Sequence, residues 1–179
     1  GVDGLIIRDC LFQHRRNSLL DLSNNNNVTL DNNEFYDWGA PAPVPLDPLF
    51  VGGTAIFFLS PNFHIRVINN YLHDATGGGG IWLPVTDTAH PNALEGGFCI
   101  CTGNDVLFVA EFGIVGWPDS SVITGNNIFG VLRTAVSGHG VEAHGIDCNF
   151  ANNVIQFVDG SCAVLNNITN TTITGNLFN

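Results

Sequence analysis

This chain contains no lysine and no methionine, and it sets only five arginines against sixteen acidic residues. The formal net charge of −11 excludes nucleic acid and anionic membrane as partners, because phosphate binding needs clustered cations. No apolar run approaches the length of a membrane span. Apolar residues at helical spacing are missing too; β-branched residues, Asn and Gly dominate, which excludes a helical fold. Cysteine offers no disulfide framework. Cys10, Cys99, Cys101, Cys148 and Cys162 are odd in number, and no two share a register in adjacent repeats. They read as buried thiols. Cys99-x-Cys101 lacks the second pair a zinc site needs. No tight carboxylate cluster announces a metal, so no cofactor is expected; Ca²⁺ is the one ion that would suit so acidic a surface.

What is present is a repeat. Seven times an apolar residue is followed three places on by a corner position and five places on by a second apolar residue. The units start at Ile7, Leu30, Val67, Cys101, Ile123, Phe150 and Ile173. Asn fills the corner in all but the first, where Cys10 stands: Asn33, Asn70, Asn104, Asn126, Asn153 and Asn176. Spacings of 22 or 23 residues, with occasional insertions, describe a solenoid built from one-turn coils. Each unit reads as strand, bend, strand. Gly and Asn suit the bend because they tolerate left-handed backbone angles, and stacked Asn amides can bond the coil beside them. Two inward files are expected, Ile7 to Ile173 and Phe12 to Phe178. A further strand upstream would carry Leu22, Leu59, Val115 and Leu165. A β-sandwich would show hairpin turns every 8–12 residues instead.

This pattern resembles the right-handed parallel β-helix of the pectate-lyase-like superfamily, over nearly the whole chain. The expected fold is all-β: a right-handed parallel β-helix solenoid of about seven coils with an Asn ladder. With 45% hydrophobic content, residues 1–179 are read as a single domain, expected to be part of a longer chain. Neither end carries the polar, atypical cap of a solenoid, so an end-to-end protein partner or continuation of the same chain is expected.

Two insertions, at about 38–53 and 83–97, interrupt the regular coils and flank one sheet. Function concentrates beside such scaffolds. Trp38, Trp82 and Trp117 are candidates to line that groove and stack on sugar rings. Asn69-Asn70-Tyr71-Leu72-His73-Asp74, followed by four glycines, is similar to a motif of secreted β-helix proteins that act on glycans. The densest ionisable segment is Ser137 to Asp147. There Gly138-His139-Gly140 is similar to a motif of polygalacturonase-type hydrolases, but the Asp-Asp pair and the lysine those enzymes need are missing. Strand alternation puts Glu142 and His144 on an outer face. Glu142 is therefore the candidate acid or base, His144 its partner, and His139 or Asp119 the support. Three sequons, at Asn27, Asn167 and Asn170, together with the acidity and the resemblance, imply a secreted or cell-surface glycoprotein. Two readings follow. One is a β-helical scaffold or glycan-binding section of a larger extracellular protein. The other is a polysaccharide-degrading enzyme, a glycoside hydrolase or less readily a lyase or epimerase.

Overall fold

A computed structural model describes residues 1–15, 17–39, 53–85, 97–117, 119–132 and 138–179, with the side chains of 59–61, 85, 97, 117 and 167 outside the description. The first coil comprises β1 (Ile6–Arg8), β2 (Leu11–Arg15) and β3 (Leu20–Asn26), and the second opens with β4 (Thr29–Asp31) and β5 (Glu34–Trp38). The bent strand β6 (Thr54–Ile68) closes the second coil and opens the third, which continues with β7 (Tyr71–His73) and β8 (Gly79–Val85). Then come β9 (Gly97–Thr102), β10 (Asp105–Ala110) and β11 (Phe112–Trp117), followed by β12 (Val122–Thr124), β13 (Asn127–Leu132) and β14 (His139–Ile146). The last coils hold β15 (Asn149–Ala151), β16 (Val154–Val158), β17 (Ala163–Thr169), β18 (Thr172–Thr174) and β19 (Leu177–Phe178).

Every ladder is parallel, each strand pairing with its equivalent one coil away. The chain is a parallel β-helix. Three faces result. Sheet A holds the short strands before the Asn corner, sheet B the strands after it, and sheet C the third strand of each coil. The expected inward files are in place: Leu30, Val67, Cys101, Ile123 and Phe150 in sheet A, and Phe35, Leu72, Val106, Ile128 and Ile155 in sheet B, all buried. Phe35 stacks on Phe12 with ring centroids 4.7 Å apart. Sheet C departs from expectation. Leu22 stands opposite Phe58 rather than Leu59, and Val115 lies beside Trp82 and Glu142 on the outer face. Register shifts in these strands move the alternation by one residue, which counting back from the corner does not register.

The Asn file forms an unbroken ladder. Nδ2 of Asn33, Asn70, Asn104, Asn126 and Asn153 each donates to Oδ1 of the next, at 2.9–3.0 Å. Each Oδ1 also accepts the backbone N–H of the preceding corner, and each Nδ2 donates to a carbonyl such as Val67 O. The whole amide is therefore satisfied. The N–H of Cys10 joins the file by donating to Asn33 Oδ1. A second, shorter ladder that the sequence reading missed joins Asn25 to Asn62 where sheet C turns into sheet A. Each of these two stands five residues before an inward residue, Leu30 or Val67, and that shared offset was its signal.

Most left-handed residues also fall into files, one at each corner. Asp9, Asn32, Asn69, Gly103, Gly125, Asn152 and Gly175 precede the ladder position. His14, Asp37, Asp74, Phe108, Gly130 and Phe157 form the corner between sheets B and C, and Gly4, Asn27, His64, Phe98, Ser120, Asp147 and Asn170 the corner between C and A. These 20 positions are set by backbone, not by side-chain burial.

Two substitutions test this framework in urea or thermal unfolding. Asn104→Ala strands the Asn70 N–H and the Val67 carbonyl in a buried site and takes one bond from the Asn70 amide, and should cost about 3 kcal/mol or more. Asn176→Ala, in a half-buried coil, should cost clearly less. Phe35→Ala should cost about 3–5 kcal/mol; a loss below about 1 kcal/mol would remove Phe35 from the core.

Candidate functional site

Strand β14 carries the ionisable cluster, and its alternation follows from Val141, which is fully buried. Glu142 points outward, with Val115 of β11 on one side and Val164 of β17 on the other. Its Oε1 lies 3.3 Å from His144 Nε2, so these two are brought together. His139 stands at the start of the strand beside Phe112, with Nδ1 buried. Asp119 holds a corner: its carboxylate accepts the N–H of Ile146 at 3.0 Å. Glu111 is buried. Glycoside hydrolysis needs two carboxyls facing across the scissile bond. Among the described residues, the strands flanking Glu142 offer valines. Gly140, the glycine after His139, has a packing reason. A Cβ on Gly140 would stand 2.3 Å from Ile155 and 2.6 Å from the Cys162 carbonyl, and Gly80 and Gly113 repeat this close approach.

The tryptophans divide. Trp38 was a candidate to stack on sugars; instead it is fully buried, its indole N–H donating to Gly79 O at 2.9 Å. It ends β5 and belongs to the core. Trp82 does lie on the outer face of sheet C, half-buried, edge-on to Phe57 and Phe112 at 5.4 and 5.7 Å. With Phe112 and Val115 it forms an apolar cluster outside the tube. The Trp117 side chain lies outside the described residues, as do residues 40–52 and 86–96 of the two insertions. Leu83–Val85, counted with the second insertion from sequence, belong to β8. Asn27 and Asn170 are exposed at the corner between sheets C and A; the Asn167 side chain lies outside the description.

Sequence reasoning missed an array along sheet B and its corner with sheet C. The His73 ring lies stacked between Tyr36 and Tyr71, with centroids 5.6 and 4.3 Å away. Its Nδ1 meets Asp74 at 2.9 Å and its Nε2 meets Glu34 at 3.1 Å. Burial pushes its pKa down, but the bonds to Asp74 and Glu34 outweigh that and raise it. Next to it, His14 bonds Asp37, whose carboxyl is held below its ordinary range mainly by that contact. Thr76 donates to Asp37 from the next coil. Further along, Phe108 meets Phe129, and Phe129 meets Phe157. Phe108 is 52% exposed, Phe157 65% and Tyr71 41%. The signal was available only with the corner register in hand, because His14, Asp37, Asp74, Phe108 and Phe157 share no motif.

The expectation of buried thiols holds for two of the five cysteines, while Cys10 is exposed and Cys148 and Cys162 are half-buried. Cys99 and Cys101 are fully buried on β9, and burial pushes the Cys101 thiol up to about 12 and that of Cys99 higher still. Among the described residues no three His, Cys, Asp or Glu side chains are arranged to hold a metal ion.

No protein-family model matches the chain, and no curated protein matches it in sequence. Among solved structures it is similar to the catalytic unit of a thermostable GH87 α-1,3-glucanase from Streptomyces thermodiastaticus, at 15% identity and TM-score 0.48. It is also similar to the Streptococcus pneumoniae surface protein and adhesin PfbA, at 9% identity and TM-score 0.44. The matches cover 97% and 98% of this chain, which spans 44% of the first structure and 64% of the second. At these values the likeness carries no functional argument.

The His73 arrangement has a pH consequence. Its folded pKa is raised above the ordinary 6.5, so its stabilisation is complete below that value and is lost as pH rises through the folded pKa. The urea midpoint should therefore fall as pH rises from 6.5 through the raised folded pKa, and His73→Gln should flatten that step. An NMR titration placing His73 at or below 6.5 would contradict the assignment.

Proposed function

We propose that this β-helical scaffold works outside the cell and holds neutral glycan chains along its B–C corner without cleaving them. One observation carries the reading. Phe108 and Phe157 occupy a left-handed corner position, at φ 52° and 55°, where the intervening coil has Gly130. A side chain costs about 1–2 kcal/mol there, and both rings also face water. Stability alone favours Gly or Asn at such a corner. Exposed aromatic faces kept at a strained backbone position fit a binding role, and sugar rings present an apolar C–H face suited to stack on them.

The neighbouring groups suit the same ligand. Tyr36, His73 and Tyr71 extend the row of rings towards the first coils, and Glu34, Asp37 and Asp74 offer acceptors for sugar hydroxyls. The net charge of −11 favours a neutral chain over a polyanion. Trp82, on the sheet C face between the two insertions, is a second stacking place. Among the described residues, the strands flanking β14 set Val115 and Val164 opposite Glu142, which supports binding over hydrolysis. Glycosylation of Asn167 and Asn170 is part of the extracellular reading, supported by the exposure of Asn170 at a corner; Asn27, whose amide nitrogen donates to Asp3, is read as unmodified.

Affinity electrophoresis and calorimetry with neutral polysaccharides test this reading. A Phe108→Gly, Phe157→Asn double variant should gain about 1–2 kcal/mol in stability and lose binding. Trp82→Ala should retain most of it. Loss in Trp82→Ala alone would move the site to sheet C, and binding unchanged in both variants would leave a scaffold only.

A further inference from the structure

We infer that the outer face of sheet A holds a separate subsite for a single carboxylate-bearing sugar. It lies at the corner with sheet C and does not depend on the aromatic row. A cleft of about 450 Å³ is lined there by Asn27, Thr29, His64, Arg66, Phe98 and Ile100, two from each of three successive coils. Arg66 is exposed, and its neighbours along the sheet are Thr29 and Ile100, neither of them acidic. Arg66 makes no ion pair among the described residues, whereas Asp31, the acid two positions beyond Thr29, is taken by Arg8 at 2.9 Å and by the Asn69 amide. In a lysine-free chain of this charge, an uncommitted guanidinium inside a cleft is a conspicuous electrostatic feature. Its planar fork matches a carboxylate in two parallel hydrogen bonds.

The rest of the lining suits a sugar that carries that carboxylate. The Phe98 ring is 43% exposed, and its backbone sits in the left-handed region at φ 49°, a cost that packing does not explain. It tilts towards His64 at 6.2 Å, and the two rings form one wall for a pyranose face. His64 Nδ1 bonds the Asn26 amide oxygen at 3.0 Å, which leaves Nε2 turned to the ligand as an acceptor for a hydroxyl. The Asn27 amide nitrogen is held by Asp3 at 2.7 Å, so its oxygen is the group available to a sugar hydroxyl. The Thr29 hydroxyl supplies a donor beside Arg66. A polyuronate is disfavoured by the net charge, so the fitting ligand is a neutral glycan ending in one acidic sugar, a uronic or a nonulosonic acid.

Calorimetry and ligand-observed NMR should use methyl glucuronide, N-acetylneuraminate, methyl glucoside, acetate and polygalacturonate, on protein expressed without N-glycosylation. Binding of at least one of the two acidic sugars is expected, and which one binds identifies the source. Arg66→Gln should weaken it roughly tenfold or more, and Phe98→Gly should also weaken it, with circular dichroism unchanged. The neutral Phe108→Gly, Phe157→Asn variant should bind the acidic sugar normally. No binding of either acidic sugar, equal binding of acetate or of methyl glucoside, a preference for polygalacturonate, or an Arg66→Gln variant that binds as well as the parent would each overturn the inference.

Discussion

The structure depends on how corner amides are satisfied. A parallel coil must turn three times, and every turn leaves backbone groups that neither sheet can pair. At the A–B corner the Asn side chain resolves this by bonding the coil before and the coil after together, with both donors and both acceptor sites used. Because each amide needs its neighbour in the same place, the ladder fixes register for every coil from Asn33 to Asn176. A slip by one residue would leave a buried amide unpaired and turn the inward files out to water. The apolar core supplies most of the driving force and resists the same slip; the ladder adds a directional penalty that packing alone lacks.

Left-handed residues do the complementary work. They aim the chain at each corner, and since their side chains point away from the tube, the backbone constrains their shape and leaves their chemistry open. Gly and Asn meet that demand at least cost. Phe98, Phe108, Phe157, His14 and His64 meet it at a penalty, and these are the residues that gather into the aromatic row and the Arg66 cleft. Strain and surface chemistry coincide here.

Legibility in the sequence followed distance from the ladder. Sheets A and B lie within five residues of the Asn position with no insertion between, so both inward files, the seven units and the parallel architecture were readable from spacing. Sheet C is separated from that anchor by bulges and by the segments at 40–52 and 86–96, and there Leu59 and Val115 were assigned one position off. The site was less legible than the fold. Glu142 and His144 were paired from their two-residue spacing on one strand, and their side chains do meet at 3.3 Å. Trp38 was misjudged because its position at the end of β5 looks like loop in sequence, while its indole N–H finds a carbonyl inside the tube. The His73 and Phe108 array and the Arg66 cleft draw residues from successive coils. No local pattern marks them until coils are stacked.

The ladder also has a direction. In every rung the amide nitrogen points to the following coil and the amide oxygen to the preceding one. Six aligned side-chain dipoles therefore run along the tube, each polarising the next. The two directions along the axis are therefore electrically unlike: amide donors point towards the Asn176 end of the file, while the first amide oxygen, on Asn33, accepts the Cys10 N–H. Two files related by a twofold axis would set like ends of these dipoles against each other. Any axial stacking that continues the file must be head to tail, which is a heterologous contact and builds lines rather than closed pairs.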